Sequence, residues 1–342
     1  APQSVTAGDL VTVQVTVSSQ RKIKRPLVVV RDNLPRRMAP RGVTPSLPIA
    51  PAFDVPIPTQ YQFRPMKRGK FEWSGLVVQG TDALGLVTMD REYETPRTSL
   101  TVLPALVPVA LDLPPSLGWG ISEAASGRAR GAGVEPRGVR EYVSGDSLRY
   151  VHWPSSARHG QLLVKEFEAG SNAAAAFVIQ RTQGTEIGSG HKTSLEAMCS
   201  HAAFLADQFL RQGTRVEFPV IEPPSRSISP RERMSEILDA LAGMTIVEGQ
   251  SIGDDLLTCV GQLPPGSSVF AMLAVADGSL LTAMGRLAAR GTQVVALLYD
   301  ADAFKQKGRV LKVQSAISPA FVDQIRQAGA HPIVVPLEAY PK

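Results

Sequence analysis

The run Ala-Ala-Ala-Ala-Phe-Val-Ile-Gln at residues 173–180 decides the fold: seven consecutive apolar residues bounded by polar ones read as a short strand buried on both faces. Downstream of it, helical and strand patterns alternate. Thr193–Gln212 reads as an amphipathic helix, Arg215–Val220 as a strand, Pro230–Ala242 as a helix, Val269–Ala276 as a strand and Ser279–Arg290 as a helix. Gln293–Tyr299 follows as a strand, Pro319–Ala328 as a helix and Ile333–Val335 as a final strand. Such alternation predicts a parallel, doubly wound sheet with helices on its faces. Gly213, Gly291 and Gly329 each sit just past a predicted helix, where a left-handed residue ends it most easily.

Upstream the pattern changes. Leu10–Val17 alternates β-branched and polar residues with period two, and Leu27–Arg31, Gln60–Arg64, Lys70–Val78 and Ser99–Leu103 are further short strand candidates. Many short strands, no helix period and a high proline load between Pro35 and Pro65 predict an antiparallel, immunoglobulin-like β-sandwich. The chain is thus expected to be multi-domain: a β-sandwich over residues 1–107, a connector over 108–170, and a doubly wound α/β domain over 171–342. The run Gly-Arg-Ala-Arg-Gly-Ala-Gly at 127–133 makes the first half of the connector an exposed loop, since it lacks the flanking strand and helix that a phosphate cradle requires.

Composition narrows the function. The 342 residues carry a net charge of +5, concentrated at one end: residues 1–110 hold fourteen Lys/Arg against eight Asp/Glu, and residues 171–342 fifteen against sixteen. Aromatic content is 6%, and no recognised nucleic-acid motif is present, so nucleic acid is not an expected partner. Cys199 and Cys259 lie among apolar residues and read as core thiols. No apolar run reaches the roughly 18–20 residues that span a bilayer. The chain opens without Met or a signal-peptide pattern and enters a strand at once, so an upstream segment is expected to precede it. Five histidines (His152, His159, His191, His201, His331) are nominal catalytic bases, but there is no nucleophile elbow, zincin motif, Cys-x-x-Cys pair or phosphate loop.

The second half of the connector is dense in charge and aromatic residues: Val-Arg-Glu-Tyr-Val-Ser-Gly-Asp-Ser-Leu-Arg-Tyr-Val-His-Trp-Pro-Ser-Ser-Ala-Arg at 139–158, then Leu-Val-Lys-Glu-Phe-Glu at 163–168. This segment closely resembles the signature of the domain of unknown function 58 family. Lys67-Arg68-Gly69-Lys70-Phe71 and Asp82-Ala83-Leu84-Gly85-Leu86 resemble that family's Arg-Gly and Asp-Pro-Phe-Gly-Leu elements, the latter with Ala83 and Leu84 substituted. The signature residues singled out are Arg140, Glu141, Tyr142, Gly145, Asp146, Arg149, His152, Trp153, Arg158 and Lys165. Two readings stand side by side. In one, Arg140, Arg149, Arg158 and Lys165 pair with neighbouring carboxylates in a rigid clamp in which Trp153 is packed and Gly145-Asp146 makes a turn. In the other, the same residues form a docking surface.

The resemblance implies more. The α/β domain is then von Willebrand A-like, and an upstream transmembrane segment anchors the chain with its soluble part facing the cytoplasm, where a basic sandwich is drawn to anionic lipid. Partners are expected to be a MoxR-type AAA+ ATPase and its client proteins, with the chain as a non-enzymatic adaptor or scaffold. A-like domains often end their first strand in Asp-x-Ser-x-Ser, which holds a divalent cation. Here the loop reads Gln180-Arg181-Thr182-Gln183-Gly184, with no carboxylate and with a cation of its own, so neither a metal nor another cofactor is expected. A metal-dependent or hydrolytic site at the carboxyl edge of the sheet, built from Thr182 and Asp277, is the alternative.

Overall fold

The computed structural model describes residues 3–20, 22, 28–35, 37–38, 46–82, 84–111, 136–142, 151–167, 174–222, 228–261, 263–264, 267–288, 292–306, 308 and 310–337. The chain divides into two compact units, Ala1–Ala105 with Leu241–Met244, and Leu106–Ala240 with Thr245–Lys342.

Among the described residues the first unit holds nine strands: β1 (Ser4–Thr6), β2 (Val11–Val17), β3 (Val28–Asp32), β4 (Ser46–Ile49), β5 (Ile57–Phe63), β6 (Gly69–Trp73), β7 (Leu76–Thr81), β8 (Thr88–Tyr93) and β9 (Thr98–Leu103). They form three sheets, ordered β1-β9-β6, β2-β5 and β4-β3-β7-β8. Among these described strands the pairing is antiparallel except between β1 and β9, which run parallel. Alternation on β2 buries Val11, Val13 and Val15 and exposes Thr12, Gln14 and Thr16, the half-buried pattern of a sheet with one face on a core. Those valines share one core with Val30, Tyr61, Trp73, Leu100 and Val102. Inside it Asp32 accepts from Tyr61 Oη at 2.5 Å and Trp73 Nε1 at 3.3 Å, which answers the cost of a buried carboxylate with two donors. Burial first, then the bond to Asp32, raises the Tyr61 phenol above its ordinary range. Arg68, of the Arg-Gly element, is also buried in this unit and donates through Nη1 to the carbonyls of Leu241 at 2.6 Å and Met244 at 2.7 Å.

The predicted strand Lys70–Val78 is two strands. Ser74-Gly75 breaks it: Gly75 has φ +82°, a left-handed conformation that favours glycine, and its N–H donates to Thr95 Oγ1 at 2.8 Å. Two strands were not foreseen, β4, which carries Pro48, and β8, all six residues of which are exposed and so leave no burial-driven alternation to read.

The second unit opens with β10 (Pro136–Glu141), α1 (Trp153–His159) and β11 (Leu163–Phe167), followed by β12 (Ala174–Ile179) and a small hairpin, β13 (Gly188–Ser189) and β14 (Lys192–Thr193). Next come α2 (Ser194–Arg211), β15 (Arg215–Glu217), α3 (Pro230–Gly243, of which the residues from Leu241 on are counted with the first unit), α4 (Ile252–Gly261), β16 (Ser268–Leu273), α5 (Gly278–Ala288), β17 (Gln293–Leu298), α6 (Pro319–Gln327) and β18 (His331–Val334). Five strands make one wholly parallel sheet in the order β15-β12-β16-β17-β18. In chain order that is second, first, third, fourth, fifth, so the winding reverses between β12 and β16 and leaves a topological switch point at their carboxyl ends. All six residues of β12 and of β16 are buried, as a sheet covered on both faces requires. Phe177 on β12 stacks on Phe218 and Phe270, with ring centroids 5.4 and 5.2 Å apart.

Helix α2, expected to be amphipathic, is buried along most of its length, because Ala197, Ala202, Ala203 and Ala206 let it sit deep among its neighbours. It starts at Thr193, whose Oγ1 accepts from Glu196 N, and ends at Gly213 with φ +78°. Gly329 closes α6 in the same way at φ +85°, and Gly291 lies outside the described residues. No helix among the described residues is long and apolar enough to cross a membrane.

Candidate functional site

The signature segment folds as a hairpin carrying a short helix. Strands β10 and β11 pair antiparallel, with Arg140 opposite Val164, Glu141 opposite Leu163 and Val139 opposite Lys165. Tyr142 N donates to Leu162 O at 2.8 Å and His152 N to Leu163 O at 2.7 Å, so α1 is tied to β11 where it begins. His152 is the N-cap: its Nδ1 accepts from Ser155 N at 3.2 Å and lies 2.7 Å from Ser155 Oγ. Ser156 locks the helix down, its Oγ accepting from Leu163 N at 2.9 Å and lying 3.0 Å from His152 O. Gly160, at φ +70°, caps the other end.

These bonds leave Trp153 outside. Its side chain is 63% exposed, which corrects the expectation that it packs inside a clamp: in a helix of seven residues anchored through Ser156, the first position points away from the hairpin. Arg158 is exposed on the last turn of the same helix, and Val139 and Leu162 are exposed apolar residues of the hairpin. Glu141 accepts from Gln161 Nε2 at 3.0 Å. Gly145, Asp146 and Arg149 lie outside the described residues, as do the side chains of Arg140 and Lys165.

The second candidate region is the switch point. Gln180 is buried there and stitches β12 to the chain leaving β16: Oε1 accepts from Ala274 N and Val275 N, both at 3.1 Å, and Nε2 donates to Val275 O at 2.9 Å. Arg181 makes a two-pronged ion pair with Asp255 at 3.1 and 3.3 Å, and Asp255 also accepts from Gln250 Nε2. Thr182 Oγ1 donates to Gln250 O at 3.0 Å, and Asp277 Oδ1 accepts from Ser279 N at 2.9 Å, capping α5. The chain leaving β12 is thus stitched to its neighbour by an amide and closed by an internal ion pair. Among the described residues no group of three or more His, Cys, Asp or Glu side chains is placed to hold a metal.

Asp255 and Gln250 were missed from the sequence because α4 was missed. A signal was present: Ser251-x-x-Asp254 is a capping box, with Asp254 N donating to Ser251 Oγ at 3.2 Å and Ser251 N to Asp254 Oδ2 at 3.1 Å. Of the five histidines, His201 lies deep in α2, stacked on Tyr299 with Nδ1 3.0 Å from the phenol oxygen; burial pushes its pKa down to about 4. That leaves it neutral near pH 7.

Residues 138–300 match the family described as Protein of unknown function DUF58, and the chain resembles that family over this segment. The match takes in the hairpin, α1 and the switch point. No curated protein matches the chain.

Proposed function

We propose that the protein is a non-enzymatic adaptor or scaffold that works at the cytoplasmic face of a membrane. In this reading the first unit is a β-sandwich, the second a von Willebrand A-like domain, and the docking site lies on the connector. The observation that carries it is Trp153, a large aromatic side chain held outside on a pinned helix in the segment that resembles the family. Tryptophan and arginine are the residues that most often dominate binding energy at protein interfaces, and a residue fixed before binding loses little entropy when it binds. In this reading the partner is a MoxR-type AAA+ ATPase to which the chain brings client proteins, and an upstream segment anchors the chain in the membrane. The basic excess of residues 1–110 suits an anionic leaflet.

The enzymatic alternative draws no support from the geometry, because the Thr182 hydroxyl and the Asp277 carboxylate are each engaged in holding backbone. Crosslinking in native membranes, wild type against Trp153→Ala and Arg149→Ala, tests the adaptor reading. Recovery of an AAA+ ATPase with wild type and its loss with Trp153→Ala is expected. Equal recovery with both, or none with either, refutes it.

A further inference from the structure

The edge strand β8 carries a pattern that the proposed function does not use. It is the last strand of the sheet β4-β3-β7-β8 and, among the described residues, pairs only with β7. The register places Tyr93 opposite Leu76, Arg91 opposite Val78 and Met89 opposite Gly80. Leu76 and Val78 pack against the core of the unit, so Met89 and Tyr93 lie on the core-facing side of the sheet, yet they are 72% and 46% exposed. The inward face therefore runs one strand beyond the core that covers it. Arg91 lies over the Tyr93 ring, 5.3 Å from its centroid, and shields one side of it.

The outward face ends in charge. Arg31 Nη2 donates to Gln79 Oε1 at 2.7 Å, and Gln79 Nε2 donates to Asp90 Oδ1 at 2.9 Å. This ladder runs from donor to acceptor across β3, β7 and β8 and stops on a carboxylate at the open edge, with Glu92 on the same face two residues on. Residues 82–94 hold four carboxylates (Asp82, Asp90, Glu92, Glu94) against Arg91 alone, whereas the rest of residues 1–110 holds thirteen Lys/Arg against four Asp/Glu. The edge is an acidic strip on a basic unit. Antiparallel pairing of β8 with a second copy of itself sets carboxylate against carboxylate or Arg91 against Arg91, an arrangement that repels.

At its tip the hairpin is held in shape. Asp82 Oδ1 accepts from Val87 N at 2.7 Å and Asp82 N donates to Val87 O at 3.0 Å, while Gly85 takes φ +71°. Leu84 and Leu86, each 78% exposed, are displayed on this fixed loop at the end of the open edge.

We propose that β8 is a docking edge for an extended segment of a partner protein in which apolar residues alternate with Lys or Arg, added to the sheet as a fifth strand. Main-chain hydrogen bonds to the open edge give affinity, and the two faces give specificity. Apolar side chains of the segment cover Met89 and Tyr93, and its cations extend the Arg31–Gln79–Asp90 ladder to Asp90 and Glu92. The site uses no residue of the connector, so it stands or falls independently of the Trp153 docking site.

The probe is a fluorescein-labelled octapeptide of alternating Val and Lys, titrated against the whole 342-residue chain and followed by anisotropy. The controls are an octapeptide of alternating Val and Glu, and a block peptide in which all the valines precede all the lysines. Binding is expected for the alternating Val-Lys peptide alone. Reversing both outward charges (Asp90→Lys with Glu92→Lys) should weaken it about tenfold or more, as two cross-strand attractions become repulsions. N-methylation of one alternate set of peptide amides should abolish binding while the other set is tolerated, a contrast that needs no protein variant. Equal binding of the block or glutamate peptide, equal effects of the two N-methyl patterns, or an affinity unmoved by the charge reversal in a protein of unchanged circular dichroism each overturns the proposal. So does concentration-dependent dimerisation lost in the charge-reversed variant, because it makes the occupant a second copy.

Discussion

Replacing Gln180 with leucine tests whether the switch point is held by that one amide. The side chain makes three hydrogen bonds, two accepted from Ala274 N and Val275 N and one donated to Val275 O. Leucine has a similar volume and fills the space, but leaves two amide N–H groups and a carbonyl buried without those partners. At about 1 kcal/mol for each hydrogen bond, with part of the extra desolvation penalty offset by the apolar gain of leucine, the net loss is about 3 kcal/mol. For a unit of this size that lowers its transition by roughly 6–12 °C. Differential scanning calorimetry reads the shift, and amide hydrogen exchange localises it: Ala274 and Val275 should exchange faster in Gln180→Leu while β17 keeps its protection. Gln180→Glu separates packing from hydrogen bonding, since an ionised carboxylate still accepts from both amides but faces Val275 O with no proton to give. A shift under about 2 °C with unchanged exchange at Ala274 and Val275 would refute the reasoning.

Asp255→Ala should cost about 3–5 kcal/mol, because it strands the half-buried Arg181 cation, whereas Arg181→Met with Asp255→Leu should recover most of the loss; chemical denaturation of both variants checks the difference. His201, neutral in the fold with a pKa pushed down to about 4 against an ordinary 6.5, contributes stability that is complete above pH 6.5 and is lost as pH falls from there toward 4, since the unfolded chain binds the proton first. His201→Gln should flatten the stability profile in that window, and a slope equal to wild type would sink the assignment. Tyr61→Phe takes one of two donors from the buried Asp32 and should lower the stability of the first unit by about 1–3 kcal/mol, read as a shift in its denaturation midpoint.

Much of the second unit was legible in the chain itself. The apolar run 173–180, the strands near 269 and 293, and helices bounded by Pro230, Pro319, Gly213 and Gly329 all lie where the pattern placed them, because burial on both faces and helix ends impose local composition. Helix α4 escaped although its capping box was present, and α1 escaped because seven residues around Pro154 carry no helical period. The first unit was legible as β-structure, but β8 was not, since a wholly exposed strand has no apolar side to show.

What the sequence determined by itself, then, was most of the strands and helices of the second unit and that residues 180–184 carry no carboxylate, because chain-local periodicity and side-chain chemistry suffice for both. Tertiary structure alone decided the strand order, and with it that Gln180 spans a switch point, that Arg181 meets Asp255 seventy-four residues away, and that Trp153 faces outward. Each of these depends on which distant segments become neighbours, and residue order along a chain does not encode that distance.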